Sequence, residues 1–353
     1  MPELVDRLAE LTGFRDRDVL DVSLVAALKD LLQPQRVAIY RCVGEGDDRR
    51  WVTRAHLTSQ DRTATADPLW ADLATLPRLA SHPERHACLQ SRQPVFAEGG
   101  SGADGPAALS LFPLTTDRDT VGVLEVGTER PVSAEQARLV SSILRFYCNL
   151  QGLLDYSERD TLTGLLNRKT FDETFLRTAA TPQPAPGGGA EAALAAAGRR
   201  SGVEMGCWLG VIDIDHFKRV NDGFGHLIGD EVLLLLSRLM RSSFRYSDQL
   251  YRFGGEEFVV LMRCAGAADA EQALERLREN VECYVFPRVD HISVSIGFTE
   301  VRAGDAPASA FERADRAVYY AKQNGRNQVA SHAELVRSGR LVDDTRDGDV
   351  ELF

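Results

Sequence analysis

Three carboxylates and a pair of glycines are the groups in this chain best placed to do chemistry. The apolar run Trp208–Ile214 reads as a buried strand that delivers Asp213 to its polar end, with Asp215 two residues on. Strand alternation puts both carboxylates on one face if extension continues, although Asp215 already borders the next helix. Further along, in DQLYRFGGEEFVVLM, two β-rich runs flank Gly254 and Gly255. A Gly-Gly pair in that setting predicts a hairpin, because both central positions of the turn can take positive φ. Glu256 and Glu257 follow at once, on a strand whose Phe258, Val259, Val260 and Leu261 belong in a core.

Beside Asp213, these acids make an oxygen-only cluster of the kind a hard divalent cation requires, and Mg2+ commonly couples such carboxylates to substrate phosphates. A turn without side chains lets a triphosphate approach the backbone. Metal-assisted chemistry on a nucleotide follows from the combination.

Four segments extend the pattern in order: DTLTGLLNR at 160–168, IDIDHFKRVNDGFGHLIGD at 212–230, RFGGEEF at 252–258 and AVYYAKQNGRN at 317–327. Together they closely resemble the GGDEF family of diguanylate cyclases over roughly residues 157–331, about half the chain. The resemblance implies that Asp213 and Glu256 hold Mg2+, with Mn2+ as an alternative, and that the Ile214 carbonyl and Glu257 lie nearby. It makes Glu256 the acceptor of the 3'-hydroxyl proton and sets Lys218 on the phosphates, where a cation stabilises the transition state. Gly254 and Gly255 fall on the substrate side, and Lys322 and Arg326, at i and i+4 near a helix end, match the triphosphate clamps. Asn221 and Asp230 match the guanine-binding pair, with His226 lining the same site. A carboxylate at position 230 accepts from guanine N1–H and N2–H2, donors that adenine lacks as a pair, so GTP is the expected substrate. Arg245 and Asp248 form an RxxD matching the family's product-inhibition site. Asn167 and Arg168 match the opening signature and read as packing. Glu replaces Asp at the fourth letter of the family motif, which keeps the charge and does not imply inactivity.

The implied reaction is condensation of two GTP to cyclic di-GMP and two pyrophosphates by two chains facing each other, so a homodimer is expected, with cyclic di-GMP as both product and inhibitor. Two other readings compete: a non-catalytic receptor for GTP or cyclic di-GMP, and an adenylyl-type cyclase on a related sheet. The intact acids weigh against the first, and Asp230 with the GGEEF turn against the second.

The elements that must position these residues read as helix, strand (207–214), helix (about 228–244), strand, Gly-Gly turn, strand, helix (about 267–284), strand (291–298) and helix (about 308–323). This βαββαβ order predicts a ferredoxin-like sheet. Residues 178–202, crowded with Pro, Gly and Ala, read as a long surface loop.

The first 150 residues read as mixed α/β. VSLVAALKDLL is helical, RVAIYRC and WVTRAHLT form a hairpin across GEGDD, and ALSLFPLTT and TVGVLEVGT flank DRD. The order of helix, hairpin, helical middle, hairpin and helix resembles, at the level of pattern, the sensory GAF family, whose input here is an unknown small molecule or protein. His82, His86 and Cys88 are explained by a polar surface helix, and no metal is expected there. Ser133 caps a connecting helix in which Leu139, Ile143, Phe146, Leu150 and Leu153 recur at alternating steps of four and three. That seam suits either packing on its own domain or a parallel two-chain stalk. The expected division is a GAF-like domain at 1–132, a helical connector at 133–156, a cyclase domain at 157–335 and an acidic tail at 336–353, an α/β (α+β) chain throughout.

Composition bounds the partners. Lys and Arg total 41 against 52 Asp and Glu, a formal charge of -11, which argues against a broad nucleic-acid surface. No run reaches the ~18 apolar residues of a membrane helix, the start lacks signal-peptide regions, and the six cysteines show no CxxC pair. A cytoplasmic protein that binds neither membrane nor nucleic acid is expected.

Overall fold

The computed structural model describes residues 17–44, 46–67, 73–99, 106–116, 120–180 and 205–342. The chain divides into two compact units, Met1–Ser157 and Glu158–Phe353.

The first unit contains α1 (Arg17–Leu32), β1 (Arg36–Val43), β2 (Arg50–Thr58), α2 (Pro83–Ser91), β3 (Val95–Glu98), β4 (Ala108–Thr115) and β5 (Thr120–Thr128), followed by α3 (Ala134–Glu158), which ends at the boundary. Its strands form one antiparallel sheet in the order β2-β1-β5-β4-β3. Alternation along β1 builds two cores: Val37 and Ile39 pack with α1 and α3, while Ala38 and Tyr40 pack with Cys88 and Leu89 of α2. The expected helical middle also holds β3, whose four residues are too few to display a period. His82 precedes α2 and its carbonyl accepts the His86 N–H (3.0 Å), while burial pushes the Cys88 thiol up to about 12.

Ser133 and Gln136 form a reciprocal capping box at the start of α3, with Gln136 N–H donating to Ser133 Oγ (3.2 Å) and Ser133 N–H to Gln136 Oε1 (2.9 Å). The buried stripe of α3 is Val140, Ile143, Leu144, Tyr147, Cys148, Gln151 and Leu154. The expected seam therefore splits. Ile143 is buried, Leu139 and Leu150 pack partly against the same core, and Phe146 and Leu153 stay exposed. Two polar clusters tie the unit together. The Tyr147 hydroxyl donates to buried Asp21 and accepts from Arg41 (2.9 Å), and Glu125 bridges Arg36 and Arg85, each at 2.7 Å.

The second unit contains β6 (Leu166–Asn167), α4 (Arg168–Ala180), β7 (Gly206–Ile214), α5 (Phe217–Phe224), α6 (His226–Ser243), β8 (Gln249–Gly254), β9 (Glu257–Cys264), α7 (Ala267–Cys283), β10 (Val294–Glu300), α8 (Pro307–Gln323), β11 (Val329–Ser331) and α9 (His332–Arg337). The four long strands lie in the order β10-β7-β9-β8, all antiparallel neighbours, which is the ferredoxin-like arrangement of a βαββαβ unit. Short β6 and β11 extend the sheet in parallel at its two edges. Trp208, Ile212, Phe258, Val260, Ile296 and Phe298 face α6 and α7. Leu209, Val211, Val259 and Leu261 face α4 and α8. Gly297 lets α8 press onto β10, since a Cβ there would stand 2.2 Å from the Ala314 carbonyl oxygen and 2.4 Å from Val318 N.

Three expectations are corrected. The strand expected from 291 begins at Val294, because its register partner there is Ile214, the last residue of β7, and the Asp215 N–H bond to the Ser293 carbonyl (2.9 Å) carries the pairing just one step further. Residues 178–180 of the expected loop close α4, and 181–204 lie outside the described residues. Residues 336 and 337 of the expected tail end α9, and Arg340 and Leu341 N–H return to the Leu335 carbonyl (2.8 and 3.2 Å); 343–353 lie outside the described residues.

Candidate active site

Strand parity sets the site. Asp213 shares the α8 side of β7 with Leu209 and Val211, and its register partner on β9 is Glu257. Two carboxylates thus stand side by side at one end of the sheet, and the last turn of α8 delivers Lys322 to them, with Nζ 2.7 Å from Asp213 Oδ2. Asp213 is 6% exposed; burial raises its carboxyl above the ordinary range, and Lys322 opposes that rise. The carboxyls of Glu256 and Glu257 are also raised, first by burial and then by the charge of Asp213. A fourth acid, Asp315 on α8, joins the same field: burial raises it, and its charge raises Asp213 and Glu257 in turn. Sequence reasoning missed Asp315, although its spacing of seven from Lys322 puts both on one helix face.

Asp213 Oδ1 is buried and has no hydrogen-bond partner. A spare carboxylate oxygen beside two further acids fits a hard divalent cation. Among the described residues no three His, Cys, Asp or Glu groups close on an ion by themselves, so substrate or solvent oxygens must complete any shell. Asp215 does not join this set. It is 5% exposed and accepts from Ser293 Oγ (2.6 Å), Ser295 Oγ (2.7 Å) and Asn327 N–H (3.1 Å).

At the turn, Gly254 and Gly255 have φ of 146° and 53°, and nothing lies within 4 Å of where a side chain would begin at either. Arg252 braces the turn by donating to the Gly255 carbonyl (2.9 Å) and to Asp160 (3.0 Å), a link between two of the sequence motifs. Lys218 is exposed in the first turn of α5, and His226 is exposed as the first residue of α6. Asn221 lies against that first turn, with Oδ1 2.0 Å from where a Cβ on Gly229 would sit, next to exposed Asp230. Arg326 departs from the expected helical pairing with Lys322. Helix α8 stops at Gln323, and Gly325 (φ 111°) leads Arg326 (φ 62°) into a left-handed turn. Arg245 and Asp248 close a tight turn, with Arg245 N–H on Asp248 Oδ2 (2.9 Å) and Asp248 N–H on the Arg245 carbonyl (3.0 Å). Burial pushes the Asp248 carboxyl up to about 6, and Arg245 remains exposed.

Acids and a glycine hairpin thus meet at one end of a ferredoxin-like sheet. Residues 191–328 match the family described as "Diguanylate cyclase, GGDEF domain", and the second unit carries a GGDEF domain. The chain is 35% identical over 216 residues to the diguanylate cyclase DgcP of Pseudomonas aeruginosa, covering 60% of this chain and 29% of that protein. It is 35% identical over 231 residues to the response regulator PleD of Caulobacter vibrioides, covering 60% of this chain and 47% of that one. It thus spans less than half the length of either relative. Among solved structures, the GGDEF domain of DgcB from Caulobacter crescentus in complex with c-di-GMP is 32% identical, covering 50% of this chain and 96% of that one, with a TM-score of 0.42. Among the described residues no helix is long and apolar enough to cross a membrane.

Proposed function

We propose that this chain is a diguanylate cyclase that condenses two GTP into cyclic di-GMP and two pyrophosphates as a Mg2+-dependent homodimer. The observation that carries the reading is the cross-strand pair Asp213 and Glu257 beside the Gly254-Gly255 turn, with Glu256 and Lys322 at the same sheet end. Asp213 and Glu256 would hold the ion, with Glu257 and the Ile214 carbonyl beside them. A bound Mg2+ supplies charge neutralisation at the α-phosphate and lowers the pKa of a coordinated hydroxyl. The chain's own groups do the rest. Asn221 and Asp230 orient guanine with His226 alongside, while Lys218, Lys322 and Arg326 balance the triphosphate, which approaches over Gly254 and Gly255. Glu256, whose raised proton affinity suits a base, accepts the 3'-hydroxyl proton as that oxygen bonds to the partner's α-phosphorus and the bond to pyrophosphate breaks.

Product binding at Arg245 and Asp248 provides feedback. The first unit acts as a GAF-like sensor, a reading supported by its sheet order and by helices on both faces. Exposed Phe146, Leu153 and Tyr156 on α3 support a parallel stalk that brings two catalytic units together. The packing of Cys88, Cys148 and Cys264 as buried thiols supports a reducing, cytoplasmic setting. Glu256→Gln tests the catalytic assignment: turnover of GTP should vanish while cyclic di-GMP still binds through Arg245. Undiminished turnover refutes the role of Glu256.

A further inference from the structure

Asp215 stands two residues past Asp213, yet its oxygens serve another purpose. Three donors fill it: the hydroxyls of Ser293 (2.6 Å) and Ser295 (2.7 Å) at β10, and the backbone N–H of Asn327 (3.1 Å). Asn327 is gripped at its other end as well. Its Oδ1 accepts from Arg278 Nη1 (3.0 Å), and its Nδ2 donates to Glu282 Oε1 (2.7 Å). Arg278 is itself held by Glu275 (2.6 Å) and Glu282 (2.7 Å). Asn327 is therefore fixed through its backbone to the end of β7 and through its side chain to α7.

This anchoring matters because of the backbone between it and α8. Arg326 and Asn327 have φ of 62° and 44°, two successive non-glycine residues in the left-handed region, following Gly325 at 111°. L-residues leave that region unless their surroundings hold them there. Two tethers do so: Arg326 N–H to the Ala321 carbonyl (2.9 Å) on the helix side, and Asn327 N–H to Asp215 on the strand side. Asp215 thus ties the strand end bearing Asp213 to the turn bearing Arg326.

We infer that Asp215 and Asn327 are a positioning couple that sets where Arg326 stands relative to Asp213, and thereby tunes triphosphate affinity without touching metal or substrate. The affinity part rests on the GTP reading above; the turn geometry does not. The test is a double-mutant cycle on the full chain, with binding of a non-hydrolysable GTP analogue and Mg2+ measured by calorimetry. Asn327→Ala should weaken binding about tenfold in the parent and less than about twofold in an Arg326→Ala background, the coupling expected of residues that act through one another. Equal losses in both backgrounds, or none in the parent, overturn the inference, and melting curves report any general loss of fold. Hydrogen exchange of residues 324–328 supplies an arm independent of nucleotide. Asp215→Asn should speed exchange there, and unchanged exchange also overturns the inference. A parent that binds no GTP analogue while its exchange responds to Asp215→Asn refutes the nucleotide reading and the affinity role resting on it, leaving the couple as a structural tether only.

Discussion

Gly229→Ala separates stability from binding in a way few single substitutions can. Gly229 sits inside α6, where alanine is the better helix former by roughly 0.5–1 kcal/mol. The new Cβ would meet Asn221 Oδ1 at 2.0 Å, Asn221 Cγ at 3.1 Å and the Phe217 ring at 3.3 Å. The severe clash is with the far end of a short side chain that can rotate away, and the ring contact needs only a few tenths of an ångström. Folding stability should therefore stay within about 1 kcal/mol of the parent, since the helix gain offsets the local adjustment. Binding should suffer. On the proposed GTP reading, Asn221, displaced from its place beside Asp230, would forfeit one or two hydrogen bonds to guanine worth roughly 0.5–1.5 kcal/mol each, a loss in GTP affinity of about 2- to 160-fold. Urea denaturation and calorimetry with a GTP analogue read the two quantities separately. Adding Asn221→Ala to Gly229→Ala should cost nothing further. Unchanged GTP affinity, or a stability loss beyond about 2 kcal/mol, refutes the reasoning.

Other substitutions probe the remaining parts. Folding raises the Asp248 carboxyl from 3.8 to about 6, so it favours the protonated form, and that contribution is complete below pH 3.8 and is lost as pH rises through about 6. Asp248→Asn should thus stabilise the chain by about 1–2 kcal/mol at pH 8 and hardly at all at pH 4, from ~1.4 kcal/mol per pH unit reduced for partial exposure; a gain independent of pH in urea titrations would contradict this. Tyr147→Phe leaves buried Asp21 without its hydroxyl donor and should cost about 1–3 kcal/mol in the unfolding of the first unit, whereas an unshifted melting curve would show that the network contributes nothing. Gly297→Ala sets a methyl against the backbone of α8, which cannot rotate aside, and should cost more than about 3 kcal/mol by thermal unfolding; a parent-like transition would contradict the close approach.

The acid-bearing end of the second unit was legible because its residues lie in short motifs. Asp213, the Gly-Gly turn and the paired glutamates can each be read from these, and strand parity puts Asp213 on the face of Leu209 and Val211, while the β7–β9 register sets it beside Glu257. What sequence could not supply is long-range. Asp215 stands only two residues past Asp213, but its partners lie at 293, 295 and 327, joined only by the fold. Strands β6 and β11 have two and three residues and pair in parallel, so they show no alternation to read. In α3, one helix presents two overlapping apolar stripes. Sequence spacing merged Ile143, which is buried in its own unit, with Phe146 and Leu153, which are exposed. Arg326 was placed on a helix that ends three residues earlier, where Asn324 and Gly325 stop it.

The most direct test of the cyclase assignment is incubation of the purified chain with GTP and Mg2+ over a wide range of protein concentrations, with chromatography and mass analysis of the nucleotides and an Asp213→Ala control. The account predicts cyclic di-GMP and pyrophosphate from the parent, with activity per chain rising as dimers form, and neither product from the control. GTP and cyclic di-GMP that bind without any turnover at every concentration would contradict it and make the chain a receptor.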